Sequence, residues 1–231
     1  MPALLTDEHR AALAELAPLA RRVAGLDPAA AARLRSSAGR VTLLVRLPFD
    51  VLVARTIATD LEDPDDPDDP DDPDDPGDLD VTVRADELLG WLDGTRPQPP
   101  AAHDDAWRGS VPPSAGWQRV DTVPDDVVRG LVRQGALTLK QAAEREGVPG
   151  AQPRAEVADS LLDSVVLTLT DDTGARTATV TLRSLSALTR MGFLPRGSHI
   201  AVDVAGRWTR VAAAYGSVFA ERAGLGLGVL R

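Results

Sequence analysis

Arginine supplies most of the chemistry in this chain. Of its 25 basic residues only Lys140 is a lysine. A guanidinium is always charged and offers a planar fork of donors that fits carboxylates and phosphates. Two arginines stand where such an anion is required. Arg84 and Arg183 each fall at the junction between a strand-like run and a helix-like one. A cation there opposes the positive end of the helix dipole, so each needs a negative partner. Asp86 and Glu87 lie close to Arg84. Arg183 is followed by Ser184, Leu185 and Ser186, with no local acid. Its partner is therefore a distant carboxylate or an anionic ligand. Around it, Arg190 to Pro195 and Trp208 to Phe219 hold a large share of the big side chains in a chain that is only 3% aromatic. Either these residues fill a core, or they line a pocket or partner face. The candidate binding residues are Arg183, Trp117, Arg190, Trp208 and Tyr215.

Other constellations lack the parts their chemistry needs. Gly109-Ser110 and Gly216-Ser217 do not sit in a nucleophile elbow, and no His/Asp pair is spaced to activate either serine. Gly224-Leu225-Gly226-Leu227-Gly228 contains GxG, but without a preceding strand or a following helix it is no dinucleotide loop. There is no cysteine, which removes disulfides, thiolate metal sites and a thiol nucleophile. His9, His103 and His199 lie far apart in the chain. Neither a cofactor nor a metal is expected, and the chain leans away from being an enzyme.

Charge is concentrated in one place. The formal net charge is −10, yet the stretch from Asp60 to Asp80 holds 13 acidic residues and no basic one. The rest of the chain has 22 acidic against 25 basic residues. Within the tract, proline recurs every third residue from Pro64 to Pro76, which favours an extended polyproline II rod. Such a rod splays its carboxylates apart, whereas a calcium loop must converge them. The tract reads as a disordered insert at 61–80 in a hairpin loop.

The elements that position these residues follow from periodicity. Val165, Leu167 and Leu169, then Ala178, Val180 and Leu182, alternate with threonines on either side of Asp171-Asp172-Thr173-Gly174. This is a hairpin, and Leu185, Leu188 and Met191 continue it as a helix capped by Gly192. Val81-Thr82-Val83-Arg84 with Leu89 matches Val180-Thr181-Leu182-Arg183 with Leu188 at the same offset. A weak internal duplication of a β-β-α unit results.

The fold expected is α+β, two β-β-α hairpin-helix units with mainly antiparallel strands, N-terminal helices and a central helical hairpin. Residues 1–39 form the helical N-terminal segment, including a helix from Asp27-Pro28 to about Arg35. Residues 40–94 form the first unit, and 95–122 a Pro-rich linker and ordered loop. The hairpin covers 123–150 and turns at Gly135. The second unit with further strands covers 155–219, and 220–231 is a tail. The 123–146 helices resemble a helix-turn-helix in outline, but Lys140, Gln141 and Arg145 are balanced by Glu144 and Glu146.

The function expected is that of a non-enzymatic interaction or regulatory module, with a protein partner or a second copy of itself. One alternative is association with nucleic acid through arginines of the near-neutral body. Another is an enzyme with a dispersed site near Arg183 and Tyr215. The acidic amino terminus and the lack of a long apolar run lead to a cytoplasmic, membrane-free expectation.

Overall fold

The computed structural model describes residues 5–37, 39–59, 79–145 and 155–221. The chain divides into two compact units, Met1–Ser114 and Ala115–Arg231. The fold is α+β with antiparallel strands. Most of the acidic insert, residues 146–154 and the tail beyond 221 lie outside the described residues.

The first unit opens with α1 (Asp7–Ala12), a 3-10 turn at Ala14–Leu16 and α2 (Ala17–Leu26). The Thr6 backbone N–H donates to His9 Nδ1 at 3.0 Å at the start of α1. Pro18 sits in the first turn of α2, where its missing N–H costs nothing, so the stretch breaks into short pieces. Strands β1 (Ala31–Ser36), β2 (Arg40–Leu47) and β3 (Val51–Ala58) form a meander, followed by β4 (Asp80–Arg84) and α3 (Ala85–Leu92).

Two expectations change here. The alanine-rich run from Asp27 to Arg35 is not a helix, and after a turn at Pro28 and Ala29 the chain is extended from Ala31. This stretch becomes β1, because β2 and β4 hydrogen-bond to it from both sides, and tertiary pairing overrides the helical preference of alanine. The strands flanking the acidic insert do not form a hairpin either. The sheet order is β4-β1-β2-β3, so β3 and β4 are at opposite ends of the four strands.

In the second unit β5 (Gln118–Pro124) leads into α4 (Asp125–Arg145), α5 (Ala155–Leu162), β6 (Val165–Thr170), β7 (Thr177–Thr181) and α6 (Leu182–Arg190). A second meander follows, β8 (His199–Ala205), β9 (Trp208–Ala213) and β10 (Gly216–Glu221). Strands β6 and β7 pair as the expected hairpin. Asp171 organises its turn by accepting from the Ala175 N–H at 2.9 Å and pairing with Arg176 at 2.8 Å. Gly192 takes φ +69° after α6. Its N–H bonds to Thr189 and that of Phe193 to Leu188, a Schellman cap. The sheet order is β10-β9-β8-β5. Residues 220 and 221, expected in the tail, belong to β10.

The central hairpin expected over 123–150 is one helix of 21 residues, α4, preceded by a strand at 118–124. Gly135 marks a helix crossing and not a turn. A Cβ on it would stand 2.4 Å from Leu182 Cδ2 and 2.8 Å from Leu182 Cδ1. Only glycine lets α4 come this close to α6.

The duplication is present, with a different partition. In each unit a helix precedes a three-stranded meander (α2 before β1-β2-β3, α6 before β8-β9-β10). A fourth strand pairs with the first strand of that meander and runs into a second helix (β4 into α3, β5 into α4). The strand-helix pair follows the meander in the first unit and precedes it in the second. The same parts thus recur in a different chain order, and the stretches matched in sequence, around Arg84 and Arg183, fall in β4-α3 and β7-α6, which are not counterparts in this arrangement.

Candidate interaction site

Alternation gives the second unit's sheet two distinct faces. Ile200, Val202, Val211 and Val218 are at most 2% exposed and form the core side. The opposite face carries Asp203 on β8, Arg210 and Trp208 on β9, and Phe219 on β10, with Arg210 opposite both Asp203 and Phe219. Strand β5 adds Arg119 opposite Asp203.

Asp203 is 2% exposed and accepts from two guanidiniums. Arg210 Nε and Nη2 reach its Oδ2 at 3.0 and 2.9 Å, and Arg119 Nε donates to Oδ1. The Arg210 guanidinium lies 4.5 Å from the Trp117 ring centre, and Trp117 packs tilted against Phe219 at 5.6 Å. Each interaction fixes the next. The buried carboxylate holds Arg210 flat, Arg210 holds Trp117, and Trp117 holds Phe219. Two cations share one anion, so the patch keeps a net positive charge, and the Arg119 side chain is 53% exposed. Aromatic surface beside a half-exposed guanidinium suits an acidic or aromatic side chain of a partner.

The five residues singled out from the sequence separate. Trp117 and Trp208 belong to this face, although Trp208 is 5% exposed and acts mainly as packing. Tyr215 lies in the turn between β9 and β10, half exposed, and its N–H bonds to the Phe193 carbonyl at 3.1 Å. Arg190 ends α6 and is exposed. Arg183 meets distant carboxylates, with Nε 2.6 Å from Asp163 and Nη2 2.9 Å from Asp159. The hydrogen bond it donates to Asp163 holds its pKa above the ordinary guanidinium value. Arg84 pairs with Asp86 at 3.2 Å, as expected from its neighbours.

Sequence reasoning missed Asp203, Arg210 and Arg119. The first two carried a signal, an acid and a base at outward positions of adjacent strands in an otherwise apolar stretch. Arg119 carried none, since β5 was not anticipated. Among the described residues no group of three His, Asp or Glu is placed to hold a metal ion. None of the described helices is long and apolar enough to cross a membrane.

Comparison with known proteins gives the fold wider context. Residues 1–109 match the model of a domain of unknown function, DUF8010, and residues 112–225 that of a second one, DUF8185. A search of curated proteins found no match. Among solved structures, the chain is similar to the DNA polymerase III subunit beta from Pseudomonas aeruginosa, with TM-score 0.51 and 13% identity over 95% of this chain and 65% of that one. It is also similar to a DNA polymerase sliding clamp from Pseudomonas aeruginosa with a ligand, with TM-score 0.50 and 12% identity over 95% of this chain and 64% of the clamp. The chain thus spans slightly less than two thirds of the length of these clamps. At such identity the likeness is one of fold.

Proposed function

We propose that this chain is a non-enzymatic scaffold of the sliding-clamp kind, working through contacts with partner proteins and with further copies of itself. The observation that carries this reading is the clamp-like fold, which extends over 95% of the chain. The face built on Trp117, Arg119, Arg210 and Phe219 supports it by offering a rigid aromatic and cationic platform to a partner.

Association with DNA is the finer question, and the helices argue against a simple phosphate track. Asp86 and Glu87 stand on α3 and Glu156 and Asp159 on α5, and Arg129, Arg133 and Lys140 on α4 are offset by Asp125, Asp126 and Glu144. Only α2, with Arg21 and Arg22, and α6, with Arg183 and Arg190, contain cations and no acid within the helix. A surface that follows phosphates carries a clear excess of cations.

Two measurements test the reading. Sedimentation velocity over a wide concentration range should show a discrete, concentration-dependent assembly. Retention on a nicked circular DNA, with loss when the circle is cut, would extend the role to encircling DNA. Assembly without retention would leave a protein scaffold. A strict monomer that is not retained on the circle would overturn the proposal.

A further inference from the structure

The first unit carries a second polar cluster on the corresponding side of its own sheet, under the segment that follows α3. This side lies opposite the one where Arg55, facing Leu43, pairs with Glu15 in the 3-10 turn before α2. Arg33 is directly opposite Thr82 on β4 and Leu44 on β2, and Arg46 follows two residues after Leu44 on the same face. Residues 103–109 run across this row. The His103 N–H donates to the Thr82 carbonyl at 2.7 Å, and Asp104 Oδ1 accepts from the Thr82 N–H at 2.7 Å. Further along, the Trp107 ring lies 5.8 Å from the Arg33 guanidinium. Gly109, at φ +95°, comes so close to β2 that a Cβ would be 3.0 Å from Arg46 Nη2.

Charge balance singles out one residue. Arg33 is bonded to both oxygens of Asp80, which also pairs with Arg35 at 3.6 Å. Arg46 forms no ion pair among the described residues, and its Nε is buried without a hydrogen-bond partner. Trp107 Nε1 and Thr82 Oγ1 are likewise buried without one, and Thr82 is 0% exposed. All three atoms are able to donate, and the only unmatched charge among them is positive. A half-buried guanidinium without an anion is costly, and so is a buried indole N–H without an acceptor. In the second unit, by contrast, Asp203 supplies the anion for both of its arginines.

We propose that Arg46 and Trp107 form an oxyanion-binding site between β2 and the 103–109 segment, with Thr82 at its far end. The ligand is a carboxylate or phosphate, which accepts from the Arg46 guanidinium and the Trp107 indole N–H together. The site stands independently of the clamp-like role.

Nuclear magnetic resonance of the full chain tests it, because each of the four tryptophans gives one indole N–H signal. Trp107→Phe assigns the relevant one. Inorganic phosphate, and in a separate arm a short capped peptide containing aspartate, is titrated into the wild type, Arg46→Met and Arg46→Lys. Arg46→Met keeps the packing stem and removes the charge, and its melting curve checks that the fold persists. The expected result is a saturable shift of the Trp107 indole signal. It weakens by about ten- to a hundredfold in Arg46→Met, the worth of one hydrogen bond to a charged group, and partly returns in Arg46→Lys. Response to phosphate alone assigns a free oxyanion, and response to the peptide alone assigns a partner's carboxylate. No saturable shift with either probe, or an equal shift in Arg46→Met, overturns the site.

Discussion

At the scale of single residues, Gly135 has the clearest role. Replacing it by alanine adds helix propensity worth up to about 1 kcal/mol. It also drives a methyl group into both δ carbons of Leu182, which is 2% exposed and has little room to turn aside. Overpacking of this kind costs roughly 1–3 kcal/mol, and two contacts under 3.0 Å put it toward the upper end, so Gly135→Ala is net destabilising by roughly 1–2 kcal/mol. Leu182→Ala alone should cost roughly 2–5 kcal/mol. Urea denaturation of the double variant should show less than the sum, because the smaller side chain makes room for the new methyl. Strict additivity would mean the helices do not cross there. A glycine inside a helical pattern reads equally as a stop or as a close approach, and only the partner helix decides between them. The patch around Asp203 was hidden for a related reason, since its arginines come from two strands far apart in sequence and one of them is bulged.

Among the elements, α5 is held in part by Arg183, which pairs with Asp159 inside the helix and with Asp163 immediately after it. Both carboxylates are largely exposed, so Arg183→Ala should cost only roughly 1 kcal/mol globally. The local effect is larger, and hydrogen exchange over 155–163 should speed up while that of β8 and β9 stays unchanged. Equal acceleration everywhere would refute this division. Helix α3 gives a pH-dependent counterpart. Asp86 is held below its ordinary pKa chiefly by the hydrogen bond from Arg84. A carboxyl with a depressed folded pKa contributes stability above its unfolded pKa and loses it as pH falls through the folded value. The stability gap between wild type and Asp86→Asn should therefore be full at neutral pH and close below about pH 4. A gap independent of pH would exclude the ion pair as its source. How legible each element was depends on where its stability originates. The β6-β7 hairpin and α6 carry local patterns and were readable. Strand β1 is made by its neighbours, and β5 is an exposed edge with two buried residues, so neither shows a clear period.

For the whole molecule, the acidic insert presents a question of reach and charge. Its ends are fixed at one end of the first unit's sheet. Thr59 N–H donates to Gly39 at 3.0 Å, and Ser36 N–H donates to Leu79 at 2.7 Å. Since β3 and β4 are the outermost of four strands, the connection must span three strand spacings, about 14 Å. Deleting Asp65 to Asp75 leaves eight residues between Thr59 and Leu79, which reach about 26 Å when extended. The shortened chain therefore closes without strain. Loop-closure entropy then favours the deletion by roughly 0.8 kcal/mol, a rise in Tm of about 2 °C for a chain of this size. The deletion removes eight aspartates and takes the formal charge from −10 to −2. Mutual repulsion between molecules falls accordingly, so solubility near neutral pH should drop even as Tm holds. Calorimetry and a precipitation curve on the same sample separate the two effects. A fall in Tm of several degrees would show that the tract contributes contacts to the fold, and unchanged solubility would remove charge as its contribution.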